Sequence, residues 1–181
     1  CFGSRRPRVR ISPSRPFLAI LYMTAQEVIE NLGLTRHPEG GWFRRTFESS
    51  SKLSTVHGER ALSSCIYYML NDNEYSAWHR LASDETWFFH AGCGLRVHMF
   101  GVDGYILKTL GSDMSLGHEP QFTIPAQTTF AAELCSAEEW CLIGCSVFPG
   151  FDFADFAWGD IDGLCESFPE QTDLLLRLGR K

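Results

Sequence analysis

The chain has 181 residues, of which 44% are hydrophobic and 21% charged, and these proportions are typical of one globular domain rather than a disordered protein. Its first 22 residues hold five arginines and no acidic residue, so the remainder carries 11 basic and 22 acidic residues. A body that acidic repels phosphate backbones, which makes nucleic acid a poor partner. No apolar run reaches the length of a bilayer span, so we expect no membrane-spanning segment.

The first 22 residues differ from the rest of the chain, because they are rich in Arg, Ser and Pro and precede Met23. Such a composition suits an organelle transit peptide, whereas a start at Cys1 without an initiator Met suits translated leader sequence. We favour the second interpretation. We therefore expect residues 1–22 to be a disordered leader and residues 23–181 to form a single domain.

A short helix is predicted at each end of this domain. At the first end, Thr24 and Glu27 form a capping box, and Gly33 follows where the helical spacing of apolar residues stops. At the other end, the pattern from Pro169 to Leu178 is helical, with three leucines on one face. Both helices are expected to pack on the outside of the domain.

Between the helices the hydrophobic pattern changes to the alternation that is typical of strands. Turn signals such as Asp103-Gly104 separate about nine or ten short strands. The predicted strands span residues 42–48, 62–70, 75–81, 85–90, 95–100, 105–110, 121–124, 129–134 and 140–148. The sequence therefore predicts an all-β sandwich or barrel.

The stretch from Ser76 to Gly92 carries the most informative residues. His79 ends one predicted strand and Glu85 begins the next. Side chains on adjacent antiparallel strands can lie about 5 Å apart, so we expect these two to share a pocket. They could act there as an acid and base pair. The alternative is that they only satisfy each other in a packed interior.

This stretch resembles the first motif of the cupin superfamily, in which H-x-H is followed by Glu and then by Gly. His79, Glu85 and Gly92 match that motif, whereas Leu81 stands in place of the second His. The second motif is represented from Pro125, with Phe130 where its His would lie. Two of the four usual metal ligands are therefore absent.

The resemblance narrows to the small single-domain cupins grouped as cupin-5, and it covers roughly Met23 to Trp158. Four ordered segments carry it: 37–43, 83–87, 125–132 and 149–156. It implies an RmlC-like double-stranded β-helix, or jelly-roll barrel, that is often a homodimer. The activity that it implies is unsettled.

Further candidate ligand-binding residues surround the His79 and Glu85 pair. The segment from His37 to Arg45 offers an imidazole, a carboxylate and two arginines, of which strand alternation lets only one face inward to bind an anion. The alternative is a tight turn with a surface ion pair, and core packing for the aromatic side chains. The predicted binding set is His37, Glu39, Arg44, Trp78, Trp87, Phe89, His98 and Phe130.

The leading functional hypothesis is a small-molecule-binding protein that works as a metal-independent isomerase or epimerase on a sugar-like or anionic metabolite. His79 and Glu85 are its predicted catalytic residues. A first alternative is a metal-dependent oxygenase or isomerase in which the same two residues bind a divalent metal. A second alternative is a non-catalytic ligand-binding or sensing protein. No other cofactor is predicted.

Two further patterns concern packing. The chain has seven cysteines and no CxxC pair, and three of the cysteines lie in strand-like runs. We therefore expect reduced thiols that pack in the core. Reduced thiols in turn predict a cytoplasmic location. The segment 149–156 alternates aromatic with small or acidic residues. As a strand it would bury Phe151, Phe153 and Phe156 and expose Asp152 and Asp155.

Overall fold

The computed structural model describes residues 20–102, 104–137 and 139–180. Of the expected leader, residues 1–19 lie outside this range. Residues Ile20–Tyr22 form a 3-10 helix, so the expected disorder does not extend to these three. Within the described ranges, no helix is long and apolar enough to cross a membrane.

The body of the chain forms two antiparallel sheets and a separate hairpin. The larger sheet has six strands in the order β1 (Thr35–Arg36), β2 (Trp42–Glu48), β5 (Ser64–Asn71), β12 (Trp140–Phe148), β7 (Asp84–Gly92) and β10 (Gln121–Ile124). The smaller sheet has five strands in the order β13 (Phe156–Trp158), β6 (Tyr75–Leu81), β11 (Thr129–Leu134), β8 (Leu95–Gly101) and β9 (Gly104–Leu110). The hairpin pairs β3 (Lys52–Thr55) with β4 (Gly58–Ala61). The all-β prediction is confirmed.

The main core lies between the two sheets, because alternate side chains of each strand point to the same face. Tyr68 and Trp87 of the larger sheet meet Phe130 of the smaller sheet in this core. The rings of Trp87 and Phe130 are in edge contact, with centroids 5.7 Å apart. Each such fully buried side chain contributes about 2–3 kcal/mol from removal of apolar surface from water.

The first helix, α1 (Ala25–Leu32), forms as predicted. The Thr24 hydroxyl accepts the Glu27 backbone N–H, and the Glu27 carboxylate accepts the Thr24 backbone N–H. Gly33 ends the helix in a left-handed conformation with φ of 61°. The buried residues Val28 and Ile29 pack on the outer face of the larger sheet.

The C-terminal region holds more helix than predicted. A 3-10 helix, Pro169–Gln171, precedes α3 (Thr172–Arg177), and α2 (Ile161–Ser167) comes before both. Helix α2 was not predicted, since it is short and contains Gly163. Leu175 and Leu178 are buried in a cluster with Trp78, on the outer face of the smaller sheet.

Four strands of two to four residues were missed because, unlike the four-residue β10, their sequences do not alternate polar with apolar residues. The segment 149–156 is not a strand throughout, since Phe153–Asp155 form a 3-10 helix. Phe153 is 58% exposed, against expectation. Asp155, expected on the surface, instead lies in a buried bidentate pair with Arg60, at 2.6 and 2.8 Å.

The described cysteines are all free. Cys141 and Cys145 are buried, as expected for small apolar side chains, and Cys65 is half-buried.

Candidate active site

A small cavity of about 50 Å³ lies between the two sheets. Most of its wall is aromatic or aliphatic, which is typical of ligand sites. Its size suits a molecule of a few heavy atoms rather than a drug-sized ligand, which needs several hundred Å³. The charged and imidazole side chains that line it are those of His37, Glu39, Arg45, His79 and Glu85.

Two glycines hold the turn between β1 and β2 that carries Glu39. Gly40 has φ of 113° and Gly41 has φ of 70°, a backbone region that favours glycine. A Cβ on Gly40 would clash with the carbonyl oxygen of Tyr75, and one on Gly41 would lie 2.6 Å from that of Met69. Close approach of the turn to the sheets therefore requires both glycines.

Hydrogen bonds fix the same turn to both sheets. The Ala77 N–H donates to the carbonyl oxygen of Glu39 at 2.8 Å. The Tyr68 hydroxyl donates to the carbonyl oxygen of Gly40, also at 2.8 Å. The Glu39 side chain is consequently held at the cavity wall, where it is 8% exposed.

His79 pairs with Glu39. The Nδ1 atom of His79 lies 2.7 Å from the carbonyl oxygen of Ala77, which can only accept, so Nδ1 carries a proton. Its Nε2 atom lies 3.1 Å from Oε2 of Glu39, and two acceptors at that distance require a proton between them. The Ser76 hydroxyl donates to Oε1 of Glu39 at 2.9 Å. The Nε2 atom of His79 and the Oε2 atom of Glu39 therefore share one proton, and Glu39 accepts from Ser76 with its other oxygen.

A β-bulge in β6 makes this pairing geometrically feasible. Phe130 of β11 lies opposite His79, whereas Ala132 lies opposite Ser76. From Ser76 to His79 is three steps along β6, whereas from Ala132 to Phe130 is only two steps along β11. The extra residue in β6 reverses the alternation of its side chains between the two faces of the sheet. Without the bulge, Ser76 and His79 would point to opposite faces and could not reach the same carboxylate.

Glu85 is the second buried carboxyl group of the cavity. Burial, and to a lesser degree the negative charge of Glu39, raises its pKa to about 8, while Trp87 and Cys145 oppose the shift. Among the described residues, no cation acts on this carboxyl group. The Trp87 indole N–H affects this pKa, yet it forms no hydrogen bond of good geometry to any described residue. Glu85 is therefore mostly protonated at pH 7 and presents an O–H to the cavity.

His37 is the remaining imidazole of the cavity. Burial lowers its pKa, the charge of Glu39 raises it and the charge of His79 lowers it. Its ring packs edge-on against Phe43 and Tyr68, with centroids 4.6 and 5.8 Å away. His37 is therefore a neutral, firmly packed group at pH 7.

The predicted partner of His79 was wrong, although the shared pocket exists. His79 lies on β6 in the smaller sheet and Glu85 on β7 in the larger sheet, so they are not cross-strand neighbours. The chain crosses from one sheet to the other between them. Both side chains line the same cavity from opposite walls, and Glu39 occupies the position beside His79.

The structure also corrects the choice between the two arginines. Phe43 lines the cavity, so Arg45, two residues further along β2, faces the same side. Arg44 points outward, with its guanidinium 5.7 Å from the ring centroid of Tyr67. Arg45 is exposed and pairs with Glu48 at 2.8 Å, at the cavity mouth.

Trp78 and His98, two of the predicted ligand-binding residues, lie on the face of the smaller sheet that points away from the cavity. Trp78 donates its indole N–H to the carbonyl oxygen of Leu175, on the helical side of that sheet. His98 contacts the Tyr105 hydroxyl at 2.8 Å and Glu133 at 3.3 Å. Their strands turn these side chains away from the cavity.

Phe89 and Phe130 are not wall residues either. Phe89 packs against the main core between the sheets without lining the cavity, and it also borders an outer groove beside His90. Phe130 is fully buried in the core, with its ring centroid 4.1 Å from that of His79. Its ring packs directly against the imidazole of His79. Of the predicted binding set, His37, Glu39 and Trp87 line the cavity.

The cavity residues do not fit a resident metal ion. Leu81, in the position of the second metal-binding His, lines the cavity with an apolar side chain. Phe130 replaces another ligand, and both nitrogens of His79 already have partners. In the described part of the chain, no group of three or more His, Cys, Asp or Glu is arranged to hold a metal.

Two contributors to the site were missed from the sequence. Ser76 reaches Glu39 only because of the bulge, which leaves no mark on hydrophobic alternation. Tyr68 is one of several aromatic residues in a core strand, and its hydroxyl gives no separate signal. The His37-Pro-Glu-Gly-Gly segment was the one local pattern that pointed to Glu39.

Comparison with known proteins places these observations in a family. Residues 26–159 match the family model Cupin_5, described as Cupin superfamily (DUF985). An uncharacterised protein of Saccharomyces cerevisiae is 30% identical over 146 residues, which is 72% of each chain.

Solved structures agree with this match. A Shewanella oneidensis protein has a TM-score of 0.80 and 34% identity, covering 87% of this chain and 98% of its own. A hypothetical protein from Leishmania major has a TM-score of 0.80 and 29% identity, covering 88% and 100%. Oxalate decarboxylase from Bacillus subtilis is similar in fold alone, with a TM-score of 0.51, 12% identity, and coverage of 81% of this chain and 37% of its own. The predicted cupin barrel is confirmed.

Proposed function

This chain belongs to the cupin superfamily, in the family DUF985, and we propose that it is a metal-independent isomerase or epimerase for a small sugar-like or anionic metabolite. The observation that carries the proposal is the His79 and Glu39 pair at the wall of a small cavity. Such a pair fixes a carboxyl group at the cavity wall without help from a metal, and a carboxylate fixed there can accept a proton from a ligand and return it.

Within the pair, the two residues have different tasks. Both nitrogens of His79 are engaged, so His79 positions and charges the site rather than taking a proton from the substrate. Glu39, which lines the cavity, is the group that accepts and returns the substrate proton. This assignment moves the catalytic carboxylate from Glu85 to Glu39.

The rest of the cavity supports a small polar ligand. Arg45, at the mouth, supplies an exposed cation for an anionic substituent. Inside, the protonated Glu85 and the neutral His37 offer hydrogen bonds without adding charge. The aromatic wall excludes water from the reacting atoms.

Native mass spectrometry of gently purified protein tests the proposal. It should recover a small bound metabolite without stoichiometric metal, and NMR should then show that the protein converts this metabolite to an isomer. A metabolite recovered unaltered, with no turnover of related compounds, would favour a non-catalytic binding module. Stoichiometric metal that is lost from the His79→Ala variant would favour the metal-dependent alternative.

Two further proposals concern the assembly and the location of the protein, and the same mass spectra test the first of them. We propose a homodimer, which the subunit count would show directly. We also propose a cytoplasmic location, supported by the free thiols of the described residues. Fluorescence microscopy of the tagged full-length chain would check the location.

Glu39→Gln is expected to lower the turnover of the recovered metabolite by about 10²- to 10⁴-fold, because the amide cannot accept the substrate proton. Isomer formation by NMR measures this effect. His90→Ala is the matched control, since His90 is exposed on the outer face of the larger sheet, and it should retain full turnover. Equal turnover in Glu39→Gln and the wild type would refute the role of Glu39.

A further inference from the structure

The Trp87 indole N–H is a buried donor that acts on the Glu85 carboxyl group but has no well-aligned acceptor among the described residues. Trp87 is 1% exposed and lines the cavity, and its Nε1 atom lacks a hydrogen bond to any described residue. Buried side-chain donors are nearly always paired, and those that are not require an explanation. A ligand oxygen in the cavity would provide the missing acceptor.

Glu85 presents a second donor beside the first. Glu85 and Trp87 are two residues apart on β7, so their side chains project from the same face into the cavity. Because Glu85 keeps its proton at pH 7, its carboxyl group can donate. The carboxylate base Glu39 lies in the same cavity, beside His79 of the opposite sheet.

We propose that the Glu85 O–H and the Trp87 N–H together bind the oxyanion of an enolate, so that the substrate is a small carbonyl compound with a removable hydrogen on the neighbouring carbon. This inference rests on the proposed isomerase function and names its substrate class. Two fixed donors aimed at a developing oxyanion are an effective way to stabilise an enolate in a site closed to water.

The proton balance of the step is simple. The C–H bond next to the carbonyl breaks, its proton moves to the Glu39 carboxylate, and its electron pair forms the enolate double bond. The negative charge then resides on the former carbonyl oxygen, where Glu85 and Trp87 donate. The hydroxyl proton of the neighbouring carbon passes to the former carbonyl oxygen, and that hydroxyl oxygen becomes the new carbonyl. Glu39 then returns its proton to the former carbonyl carbon, which gives the isomer of an α-hydroxy carbonyl substrate and restores the site.

Glycolate is the probe for this donor pair, because its planar carboxylate resembles an enediolate and keeps its charge between pH 6 and 10. The neutral glycolamide is the matched ligand control. Glycolate should bind the wild type at pH 7 more tightly than glycolamide. Trp87→Phe should weaken glycolate binding about tenfold or more, since a hydrogen bond to a charged group is lost.

Trp42→Phe is the matched protein control. The Trp42 indole N–H is also buried without a partner among the described residues, but it does not line the cavity. Its replacement should leave glycolate affinity unchanged. Equal affinities in the wild type and Trp87→Phe, or equal losses in both tryptophan variants, would overturn the inference.

The pH dependence of binding separates a donor role from a structural one. Wild-type affinity for glycolate should fall about tenfold between pH 7 and pH 9, as Glu85 loses its proton and repels the anion. In Glu85→Gln this fall should disappear, because the amide donates at every pH. An identical pH profile in both proteins would also overturn the inference.

These outcomes are distinct from those that test the proposed function. If glycolate binding does not depend on Trp87 while Glu39→Gln abolishes isomerisation, only the oxyanion site fails. If glycolate binds through Trp87 and no isomerisation of the recovered metabolite occurs, the proposed function fails, and the enolate role fails with it.

Discussion

Gly40→Ala is expected to destabilise the protein by about 3 kcal/mol or more and to abolish turnover. The added methyl group would collide with the backbone carbonyl of Tyr75, which cannot move without breaking the smaller sheet. The left-handed φ of 113° adds strain for any side chain. The turn that carries Glu39 would therefore leave its position beside His79. Urea denaturation and the NMR turnover assay measure the two effects.

Gly117→Ala is the control for this substitution. Gly117 also has a positive φ, 80°, but no atom lies within 4 Å of the place that an added methyl group would take, so only the backbone strain of about 1 kcal/mol is expected. Turnover should be unchanged, since Gly117 lies outside the cavity wall. If the two variants were equally stable, close approach of the Glu39 turn to Tyr75 would not be what requires glycine at position 40.

Glu85→Gln is expected to change the pH dependence of stability strongly between pH 4 and pH 9. The native protein holds the Glu85 proton up to about pH 8, whereas the unfolded chain releases it near pH 4.5. The stability gained from the protonated form is full below pH 4.5 and is lost as pH rises through about 8. Relative to wild type, the variant should gain on the order of 4 kcal/mol between pH 4 and pH 9.

Denaturant unfolding of both proteins at several pH values measures this difference. The comparison cancels the other titrating groups, which both chains share. Glu48→Gln is a suitable control, because Glu48 is an exposed carboxylate at the end of β2. A constant stability difference between wild type and Glu85→Gln across this range would contradict a raised Glu85 pKa.

Long elements of the fold could be predicted from the sequence. Nine strands and α1 were predicted, because their hydrophobic periods extend over enough residues and α1 carries its own capping box. Strands such as β1 and β13 are too short for a period, and pairing with neighbours defines them. The burial of Asp155 depends on Arg60, which is 95 residues away in the chain, so no local pattern could show it.

The site could be predicted only in part, because a local pattern shows which residues carry chemistry but not which of them pair in the folded chain. His79, Glu85, Glu39, His37 and Trp87 were all singled out, since chemistry-bearing residues near turns are visible in a sequence. Their partnerships were not visible. The pairing of His79 with Glu39 follows from the crossover between sheets and from the bulge in β6, and both are properties of the folded chain.

The proposed chemistry depends most on two carboxyl groups that share one cavity, with a charge on Glu39 and a proton on Glu85. Carbon-13 NMR titration of the glutamate carboxyl carbons tests this directly, in the wild type, Glu85→Gln and Glu39→Gln. We predict one wild-type carboxyl that titrates near pH 8, is absent in Glu85→Gln and titrates at lower pH in Glu39→Gln. A wild-type protein in which every glutamate titrates near its ordinary value of 4.5 would contradict the account.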